Sequence, residues 1–396
     1  MRDTDVATSG TSLAGKHILL GISGGIAAVD SVRIARELRR HGATLTVCMT
    51  NSAQNIITPL ALSWATQGEI ITDWDGDMSQ LSRFDAVLVC PATRNILACH
   101  LHGIISSPLL MALSAARGNN SPIIFAPSMH SGLADDTITS EITDSLLAQG
   151  AHIIWGVEEE GKRKTVEHTQ VVAEIAHVIN SSNERRKSVV ITLGATQSPV
   201  DDVRYIQNTS SGKTGWKIAV ELYRHGHDVT VVAGVTTCKA DIDLPLVIRT
   251  PSPEEMLNEL KTLTSDEIDC WIHSAAVLDY VVDNPVEGKI ASLQGSLEVK
   301  LVEGEKHIRE MRDLTNGATR IGFKLECGVK IHDLIHRAVA LINSAELDAV
   351  IANRLEDIGN PNKPRAHLVD PSGEHWALNT QDDLVNAVRE IIERNP

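Results

Sequence analysis

The chain has 396 residues, of which 42% are hydrophobic and 22% charged, a composition typical of folded rather than disordered proteins. Its formal net charge of −15 argues against general binding to nucleic acids or anionic membranes. Six scattered cysteines without a CxxC pair indicate neither a disulfide framework nor a zinc site, and no apolar run approaches the length of a membrane span. We therefore expect a cytoplasmic protein of two or three domains.

The first half alternates short apolar runs with segments long enough for helices. Residues 1–15 are small and polar and predict a flexible tail. The strand-like runs that follow are residues 16–21, 44–49, 86–90, 123–126 and 152–155. Apolar strands that alternate with helices predict a parallel, doubly wound α/β sheet.

A second series of the same kind begins after a polar, charged linker at residues 181–187. It contains a predicted helix at 214–226 and predicted strands at 188–193, 228–233, 270–273 and 349–352. The sequence therefore predicts two Rossmann-like doubly wound domains, at residues 16–180 and 188–396.

Two similar segments precede the second strand of each half, ELRRHG at residues 37–42 and ELYRHG at 221–226. Glycine commonly ends helices in the left-handed conformation, so a shared helix-to-strand connection explains the similarity. Internal duplication is the alternative, and we favour the first explanation.

A glycine-rich loop, GISGGIAA at residues 21–28, lies between the first strand and a helix. Glycines let backbone N–H groups approach a ligand, and a helix N-terminus favours phosphate. The loop is not GxGxxG, and no acidic residue closes the second strand to bind a dinucleotide ribose. From spacing alone, a phosphate site and a tight turn without ligand remain equal alternatives.

Four short motifs of the first half resemble those of the flavin-binding cysteine decarboxylase family. They are the glycine loop, Met49-Thr50, Pro91-Ala92-Thr93 and Ala126-Pro127-Ser128-Met129. Their order and spacing match that family across residues 16–156. The resemblance implies a flavodoxin-like fold with FMN as cofactor. By matching position, the FMN-binding residues are Gly21, Ser23, Gly24, Thr50, Ala92, Thr93 and Asn95.

The positions that carry the decarboxylase chemistry in that family differ here. Met78 stands where the family has a histidine, and His130 stands where it has an asparagine. The segment after Trp155-Gly156, which in the family is a flap with a reactive cysteine, contains none. Because the reaction needs positioned acid and base groups, we predict that decarboxylation is lost. His130 as a substitute base is an alternative, although a surface or packing histidine is the preferred interpretation.

The densest group of polar motifs is GATQSPVDDVRYIQNTSSGKTG at residues 194–215. Its end suggests a P-loop, but the first glycine of GxxxxGKT would fall at Gln207, so that motif is not met. With its hydroxyls, an amide and Lys213 before a predicted helix, the loop is suited to hold phosphate or carboxylate.

This loop resembles the phosphopantothenate–cysteine ligase family. Further matches are SAAVLDY at residues 274–280, GKI at 288–290, RIGF at 320–323 with Glu326, and DAVIAN at 348–353. Together with the first half, the order is that of the bifunctional coenzyme A biosynthesis family, from residue 16 to about residue 390.

The resemblance implies an enzyme that uses CTP with Mg²⁺ to convert an acid into an acyl-nucleotide, which the amine of cysteine then attacks. It assigns Lys289 to activation and Asn208 to the acyl-nucleotide, although a solvated lysine and a turn asparagine are the alternatives. It assigns nucleotide binding to Asp279, Ala275, Ala276, Ser211, Gly212, Lys213 and Phe323. No metal site is predicted in the chain itself.

Several departures leave the substrates open. Ala291 replaces a family lysine, and GEKHI at 304–308 and LINSAE at 341–346 replace two nucleotide-binding segments. The nucleotide is therefore CTP or ATP, and Lys306, Lys324 and Arg337 are the candidate compensating cations. The acid is phosphopantothenate or a related phosphorylated or phosphonylated acid, and the amine is cysteine or another amine.

Two other functions remain as alternatives: a flavin-binding regulatory scaffold with decayed sites, and a flavin enzyme with a new reaction. By resemblance we also expect a homo-oligomer that acts on small molecules, with no nucleic-acid or membrane partner.

Overall fold

The computed structural model describes residues 3–74, 76–292, 295–315 and 317–394. These residues divide into two compact units, the first running to Ser182 and including Arg224–Gly226, the second formed by the rest from Asn183. Within these ranges, no helix has the length and hydrophobicity needed to cross a membrane.

The first unit contains nine strands and eight α-helices among its described residues. The strands are β1 (His17–Ile22), β2 (Thr44–Met49), β3 (Ile70–Ile71), β4 (Ala86–Ala92), β5 (Ile123–Pro127), β6 (Met129–His130), β7 (His152–Ile153), β8 (Glu158–Glu159) and β9 (Lys162–Arg163). The helices are α1 (Ser31–Arg40), α2 (Asn51–Gln54), α3 (Pro59–Thr66), α4 (Arg94–Leu101), α5 (Pro108–Gly118), α6 (Ser131–Ala134), α7 (Thr137–Ala148) and α8 (His168–Asn180), with 3-10 turns at Ile26–Asp30 and Ser79–Leu81.

The main sheet of this unit is parallel, in the order β3-β2-β1-β4-β5-β7. Without the two-residue β3, the order is the 2-1-3-4-5 of flavodoxin, which confirms the predicted fold class. Neighbouring residues of β1 point to opposite helical layers: Leu20 packs in the cluster with α1, α3 and α8, and Leu19 in the cluster with α4, α5 and α7. Both faces of the sheet are covered, which is why its strands are predominantly apolar.

The N-terminal segment differs from the predicted flexible tail. The Leu13 side chain is 0% exposed, its N–H donates to His41 O at 2.9 Å, and the Ser12 hydroxyl lies 3.2 Å from His41 Nδ1. Asp3 pairs with Arg36 at 2.7 Å. Residues 3–15 therefore pack against α1, because one leucine in a polar segment provides an apolar anchor that composition does not reveal.

The second unit contains twelve strands and five α-helices among its described residues. The strands are β10 (Ser188–Leu193), β11 (Gln197–Pro199), β12 (Tyr205–Gln207), β13 (Asp228–Ala233), β14 (Leu246–Arg249), β15 (Cys270–His273), β16 (Tyr280–Val282), β17 (Leu301–Glu303), β18 (Thr319–Glu326), β19 (Ala349–Arg354), β20 (Ala366–Val369) and β21 (His375–Leu378). The helices are α9 (Lys213–Arg224), α10 (Pro253–Leu263), α11 (His307–Glu310), α12 (Ile331–Ala345) and α13 (Gln381–Arg394), with 3-10 turns at Asp313–Thr315 and Leu355–Asp357.

The main sheet of the second unit has the order β14-β13-β10-β15-β18-β19-β20-β21. Its first six strands are parallel and have the Rossmann order 3-2-1-4-5-6, while β20 and β21 extend the sheet in antiparallel fashion. Two small antiparallel pairs, β11 with β12 and β16 with β17, lie outside this sheet. In both units the strand order reverses at the first strand, where such folds bind ligands.

The two similar segments occupy equivalent places. Gly42 follows α1 with φ of +93° and precedes β2, and Gly226 follows α9 with φ of +88° and precedes β13. Both glycines adopt the left-handed conformation that the shared helix-to-strand explanation requires. Internal duplication accounts for the same placement, so the two explanations stay open.

Candidate functional site

The glycine loop of the first unit lies at the carboxyl end of β1, beside the ends of β2 and β4. Of the seven residues predicted to bind FMN, six belong to these three strand ends, where the strand order reverses: Gly21, Ser23, Gly24, Thr50, Ala92 and Thr93. Asn95 is the second residue of α4 and is exposed, with its Oδ1 atom 3.8 Å from the Cys99 thiol. The topology thus brings six of the seven to the strand ends at one edge of the sheet.

Ser23 links two loops at this edge of the sheet by hydrogen bonds. Its hydroxyl donates to Pro91 O at 2.8 Å and accepts from Thr93 N–H at 2.8 Å, and its own N–H also donates to Pro91 O. The residue is only 1% exposed. Both donors of Ser23 are engaged within the protein, so the residue fixes the distance between the loops after β1 and β4.

Close packing accounts for two of the glycines. A Cβ atom on Gly24 would lie 2.2 Å from Ser52 Cβ, and one on Gly21 would lie 2.5 Å from Leu109 Cδ1. A Cβ atom on Gly25 would meet nothing closer than Thr93 Cγ2 at 3.8 Å, so that side of the loop is open. The glycines therefore let the loop pack tightly on one side while its other side faces open space.

Two threonine hydroxyls at this edge have capacity for a ligand. Thr50 caps α2 by accepting from Ala53 N–H at 3.2 Å, which leaves its proton to donate. Thr93 precedes α4, and its side chain makes no capping hydrogen bond. The hydroxyls of Thr50 and Thr93 are suited to phosphate or flavin oxygens.

A cleft of about 650 Å³ begins at Gly25 and Thr93. Its apolar walls are formed by Ile26, Val29, Ile34, Met129, Leu133 and Val166, and cationic side chains at its rim include Arg33, Lys162 and Arg163. An apolar slot with a few polar groups is the usual form of a cofactor site, and this one has the size for an aromatic ring system.

The structure also locates the three positions that differ from the decarboxylase family. Met78 adopts a left-handed conformation with φ of +54°, and its sulfur lies 3.5 Å from the Gln80 amide nitrogen. His130 is exposed, caps α6 through Nδ1, and lines the cleft. The β8–β9 hairpin, which stands in the place of the flap, pairs with β6, so that Lys162 lies opposite His130. The basic side of this hairpin, at Lys162 and Arg163, thus lines the cleft.

The candidate residues of the second unit collect around the ends of β10, β15 and β18. Ala276 N–H donates to Gly194 O at 2.8 Å, which joins the loops after β15 and β10. Phe323 on β18 follows Gly322, the register partner of His273, and so lies beside the start of the Ala275-Ala276 segment. These three nucleotide-binding candidates therefore share one strand edge.

The loop that enters α9 approaches the same edge. Gly212 has φ of +78°, and a Cβ atom there would lie 2.6 Å from Thr236 Cγ2, so glycine is needed for both reasons. Lys213 is exposed at the first position of α9, and its N–H donates to the Ser211 hydroxyl at 3.3 Å. The Cys238 thiol donates to Ser211 O at 3.1 Å, a contact that the sequence did not suggest.

The Asn208 side chain forms hydrogen bonds to backbone carbonyl groups, so it is not a free turn residue. Its Nδ2 donates to Ala276 O at 3.3 Å and to Val277 O at 3.1 Å. The sequence did not identify Thr196, whose hydroxyl supports the same segment by accepting from Leu278 N–H at 3.0 Å. The Asn208 amide oxygen remains available to a ligand.

Of the three candidate compensating cations, one lies beside a nucleotide-binding candidate. Lys306 Nζ is 3.6 Å from the Asp279 carboxylate. Lys324 and Arg337 both pair with Glu326, Lys324 at 3.1 Å. Lys306 is therefore the residue of this group that an ion pair connects to a nucleotide-binding candidate.

Lys289 is exposed on a segment that is tied to the β11–β12 hairpin on both sides of it. Gly288 N–H donates to Asp202 Oδ2 at 3.0 Å, and Ile290 N–H donates to Asp201 Oδ2 at 3.1 Å. Sequence reasoning noted the motif around Asp201 without assigning it a role.

Among the residues that the structure describes, no group of three or more His, Cys, Asp or Glu side chains is arranged to hold an ion. Phosphate oxygens and water are the usual ligands of Mg²⁺ in nucleotide sites.

Comparison with known proteins gives matches along most of the chain. Residues 6–180 match the family described as "Flavoprotein", and residues 185–394 match "DNA/pantothenate metabolism flavoprotein C-terminal domain". The chain is 34% identical to a coenzyme A biosynthesis bifunctional protein CoaBC of Thermococcus kodakarensis, covering 89% of each chain. It is 31% identical to the protein of that name from Vibrio cholerae, covering 96% of this chain and 98% of the other. A solved DNA/pantothenate metabolism flavoprotein from Streptococcus pneumoniae is 22% identical over 53% of this chain and 100% of its own, with a TM-score of 0.48.

Proposed function

The chain belongs to the family of bifunctional coenzyme A biosynthesis proteins, and we propose that its second unit forms an amide bond through an acyl-nucleotide. The observation that carries this proposal is the convergence of Ala275, Ala276, Phe323 and the Asn208 amide on one strand edge. Such an edge, at the reversal of strand order, is where doubly wound sheets bind nucleotides.

The proposed reaction has two steps. The carboxylate of the acid attacks the α-phosphorus of the nucleotide triphosphate, which releases pyrophosphate and leaves the acyl-nucleotide. The amine then attacks the acyl carbon, loses a proton and releases the nucleotide monophosphate. Negative charge increases in both steps, so fixed cations and amide donors at this edge lower the barriers.

We assign the two steps to two residues. Lys289 supplies the ammonium for activation, and Asn208 steadies the acyl-nucleotide for the attack of the amine. Ser211, Gly212 and Lys213 receive phosphate groups at the start of α9, where N–H groups and the helix dipole favour negative charge. We also assign nucleotide binding to Asp279, whose carboxylate lies 3.6 Å from Lys306 Nζ.

The substrates in this proposal are small molecules. The acid is phosphopantothenate or a related phosphorylated or phosphonylated acid, and the amine is cysteine or another amine. The nucleotide is CTP or ATP, and Mg²⁺ enters with its phosphates. A cytoplasmic homo-oligomer is part of the same proposal.

The proposal is tested by incubating the protein with Mg²⁺, CTP or ATP, phosphopantothenate or related acids, and cysteine. We expect pyrophosphate release that depends on the acid, and a mass corresponding to the acyl-nucleotide when the amine is omitted. Omission of the acid is the control. If no acid supported pyrophosphate release with either nucleotide, a flavin-binding scaffold would replace the ligase.

For the first unit we propose FMN binding without decarboxylation. The hydroxyls of Thr50 and Thr93, the open side of Gly25 and the apolar cleft fit a phosphorylated aromatic cofactor. Bound FMN supplies two-electron redox chemistry. Ser23 takes part by linking the loops after β1 and β4, and Gly21 and Gly24 allow close packing against Leu109 and Ser52. Ala92 is assigned a contact with the cofactor. Asn95 is assigned a position near the cofactor.

FMN binding is expected to give a coloured protein, or a colourless one that binds added FMN with micromolar affinity or better. Thr93→Ala should weaken this affinity about tenfold, since a hydrogen bond to a charged or polar ligand group is lost. Thr44→Ala, at the amino end of β2, is the matched control because it lies at the opposite edge of the sheet. The measurement is a titration followed by flavin absorbance and fluorescence. A wild-type protein without affinity at tens of micromolar FMN would contradict the assignment.

A further inference from the structure

The segment that carries Lys289, residues 286–290, is held along its length by one loop. Val286 N–H donates to Val200 O at 3.0 Å, Gly288 N–H to Asp202 Oδ2 at 3.0 Å, and Ile290 N–H to Asp201 Oδ2 at 3.1 Å. A β-bridge joins Asp201 to Val286, and Asp202 N–H donates to Gly288 O at 3.3 Å. We call this segment the Lys289 segment. Its backbone is therefore fixed immediately before and after the lysine.

Asp201 is the centre of this arrangement. Its side chain is 0% exposed and accepts from Val203 N–H at 2.9 Å, Arg204 N–H at 2.7 Å, the Arg204 guanidinium and Ile290 N–H. Burial alone would raise the pKa of this carboxyl, but the backbone donors and Arg204 lower it to about 2. A buried carboxylate is tolerated when its oxygens are satisfied, so the Ile290 N–H is part of what stabilises the charge.

The Lys289 side chain has no comparable restraint. It is exposed, and within the described part of the chain no hydrogen bond or ion pair to its ammonium is found. The position of the ammonium therefore depends on where the backbone of residues 288–290 is held. That backbone is held by Asp201 and Asp202.

The same hairpin also carries Asn208, just after β12. The Asn208 amide holds Ala276 and Val277, while the loop at Asp201 holds the Lys289 segment. One hairpin thus connects the two candidate catalytic side chains and the nucleotide-binding segment.

We propose that Asp201 is a positioning residue that aligns Lys289 with the phosphorus at which activation occurs. This inference rests on the proposed ligase function for its catalytic part. A displacement of about 1 Å at a reacting group lowers rates by up to about 10²-fold, so the alignment has a measurable effect.

The principal variant is Asp201→Asn. The amide keeps the shape of the side chain, but its NH₂ group faces N–H donors and its charge is lost, so the Ile290 contact is released. We expect trypsin to cut the Lys289–Ile290 bond about tenfold faster or more, because this bond becomes accessible when the segment opens. Cleavage sites are identified by mass spectrometry under conditions where the wild type stays largely intact.

The activity measurement separates positioning from binding. Asp201→Asn should lower the turnover number for pyrophosphate release about 10- to 10²-fold, while the Kd for the nucleotide stays within about threefold. Asp201→Glu keeps the charge and should recover part of the rate. Asp228→Asn is the matched control, since Asp228 pairs with Arg186 at 2.7 Å at the amino end of β13 and its exchange should change neither measurement.

Asp202→Ala covers the case in which Asp201→Asn does not fold. Asp202 is exposed, and its loss removes only the acceptor for Gly288 N–H. We expect faster cleavage at Lys289 and a smaller loss of turnover.

The outcomes are distinguishable. Wild-type rates of cleavage and pyrophosphate release in a folded Asp201→Asn protein, or in Asp202→Ala where the former does not fold, would overturn the inference. If the wild type itself releases no pyrophosphate, the ligase proposal fails, and the cleavage measurement alone then supports or overturns the restraint of the segment by Asp201.

Discussion

Replacement of Lys289 by alanine is expected to lower acyl-nucleotide formation about 10²- to 10³-fold. Negative charge builds at the α-phosphorus during attack by the carboxylate, and loss of one positioned electrostatic contact typically has an effect of this size. The fold should be unaffected, because the side chain is exposed and makes no ion pair within the described residues. Pyrophosphate release and the mass of the intermediate are measured in parallel.

Two further variants give the contrast that this prediction needs. Lys261→Ala removes an exposed lysine in the last turn of α10 and should leave activation unchanged. Asn208→Ala should permit activation but lower amide formation, and it should also weaken nucleotide affinity because Ala276 O and Val277 O lose their donor. A Lys289→Ala protein that forms the acyl-nucleotide at the wild-type rate would remove Lys289 from the mechanism.

The second large effect concerns decarboxylation. With FMN added, the protein is expected not to release CO₂ from 4′-phosphopantothenoylcysteine at a useful rate. Each positioned proton-transfer group typically contributes about 10²- to 10⁴-fold, and Met78, His130 and the cysteine-free β8–β9 hairpin replace three such positions. The loss should therefore be many orders of magnitude.

The measurement is CO₂ release and the mass change of the substrate with the FMN-loaded protein. His130→Asn restores one family residue and should not restore the reaction, because the other two positions remain changed. Turnover near about one per second by the wild type, within the usual range for enzymes, would show that replacement groups perform the chemistry. His130 would then be the first residue to examine, since it lines the cleft.

The sequence predicted the fold class of both units well, and it also indicated which candidate residues would lie near one another, for a physical reason. Motifs that follow consecutive parallel strands must meet at one edge, so Thr50, Thr93 and Ala276 could be expected near the first strand of each unit from their place in the chain alone. The main strands could also be predicted, since runs such as those of β10 and β13 are rich in valine and other apolar residues.

What the sequence did not reveal depends on pairing between distant residues. Ser23 bonds a residue 68 positions away and Asp201 one 89 positions away, and neither partner has a sequence signature. Ser23 stays a predicted ligand contact, although its hydroxyl and its N–H both donate to Pro91 O. The packing of Leu13 has the same origin, because it depends on contact with His41, which lies far from it in the sequence.

The restraint on residues 286–290 also determines which part of the chain loses conformational entropy when a ligand binds: the side chain of Lys289 rather than its backbone. Backbone that is already ordered loses no further freedom when a ligand arrives, whereas ordering one residue of a mobile loop costs about 1–2 kcal/mol. At Lys289 the remaining loss is that of a single long side chain, about 2 kcal/mol at most. The four-carbon side chain therefore moves within a limited volume around a fixed Cα atom. Within that volume the ammonium group has a high local concentration before any substrate has bound.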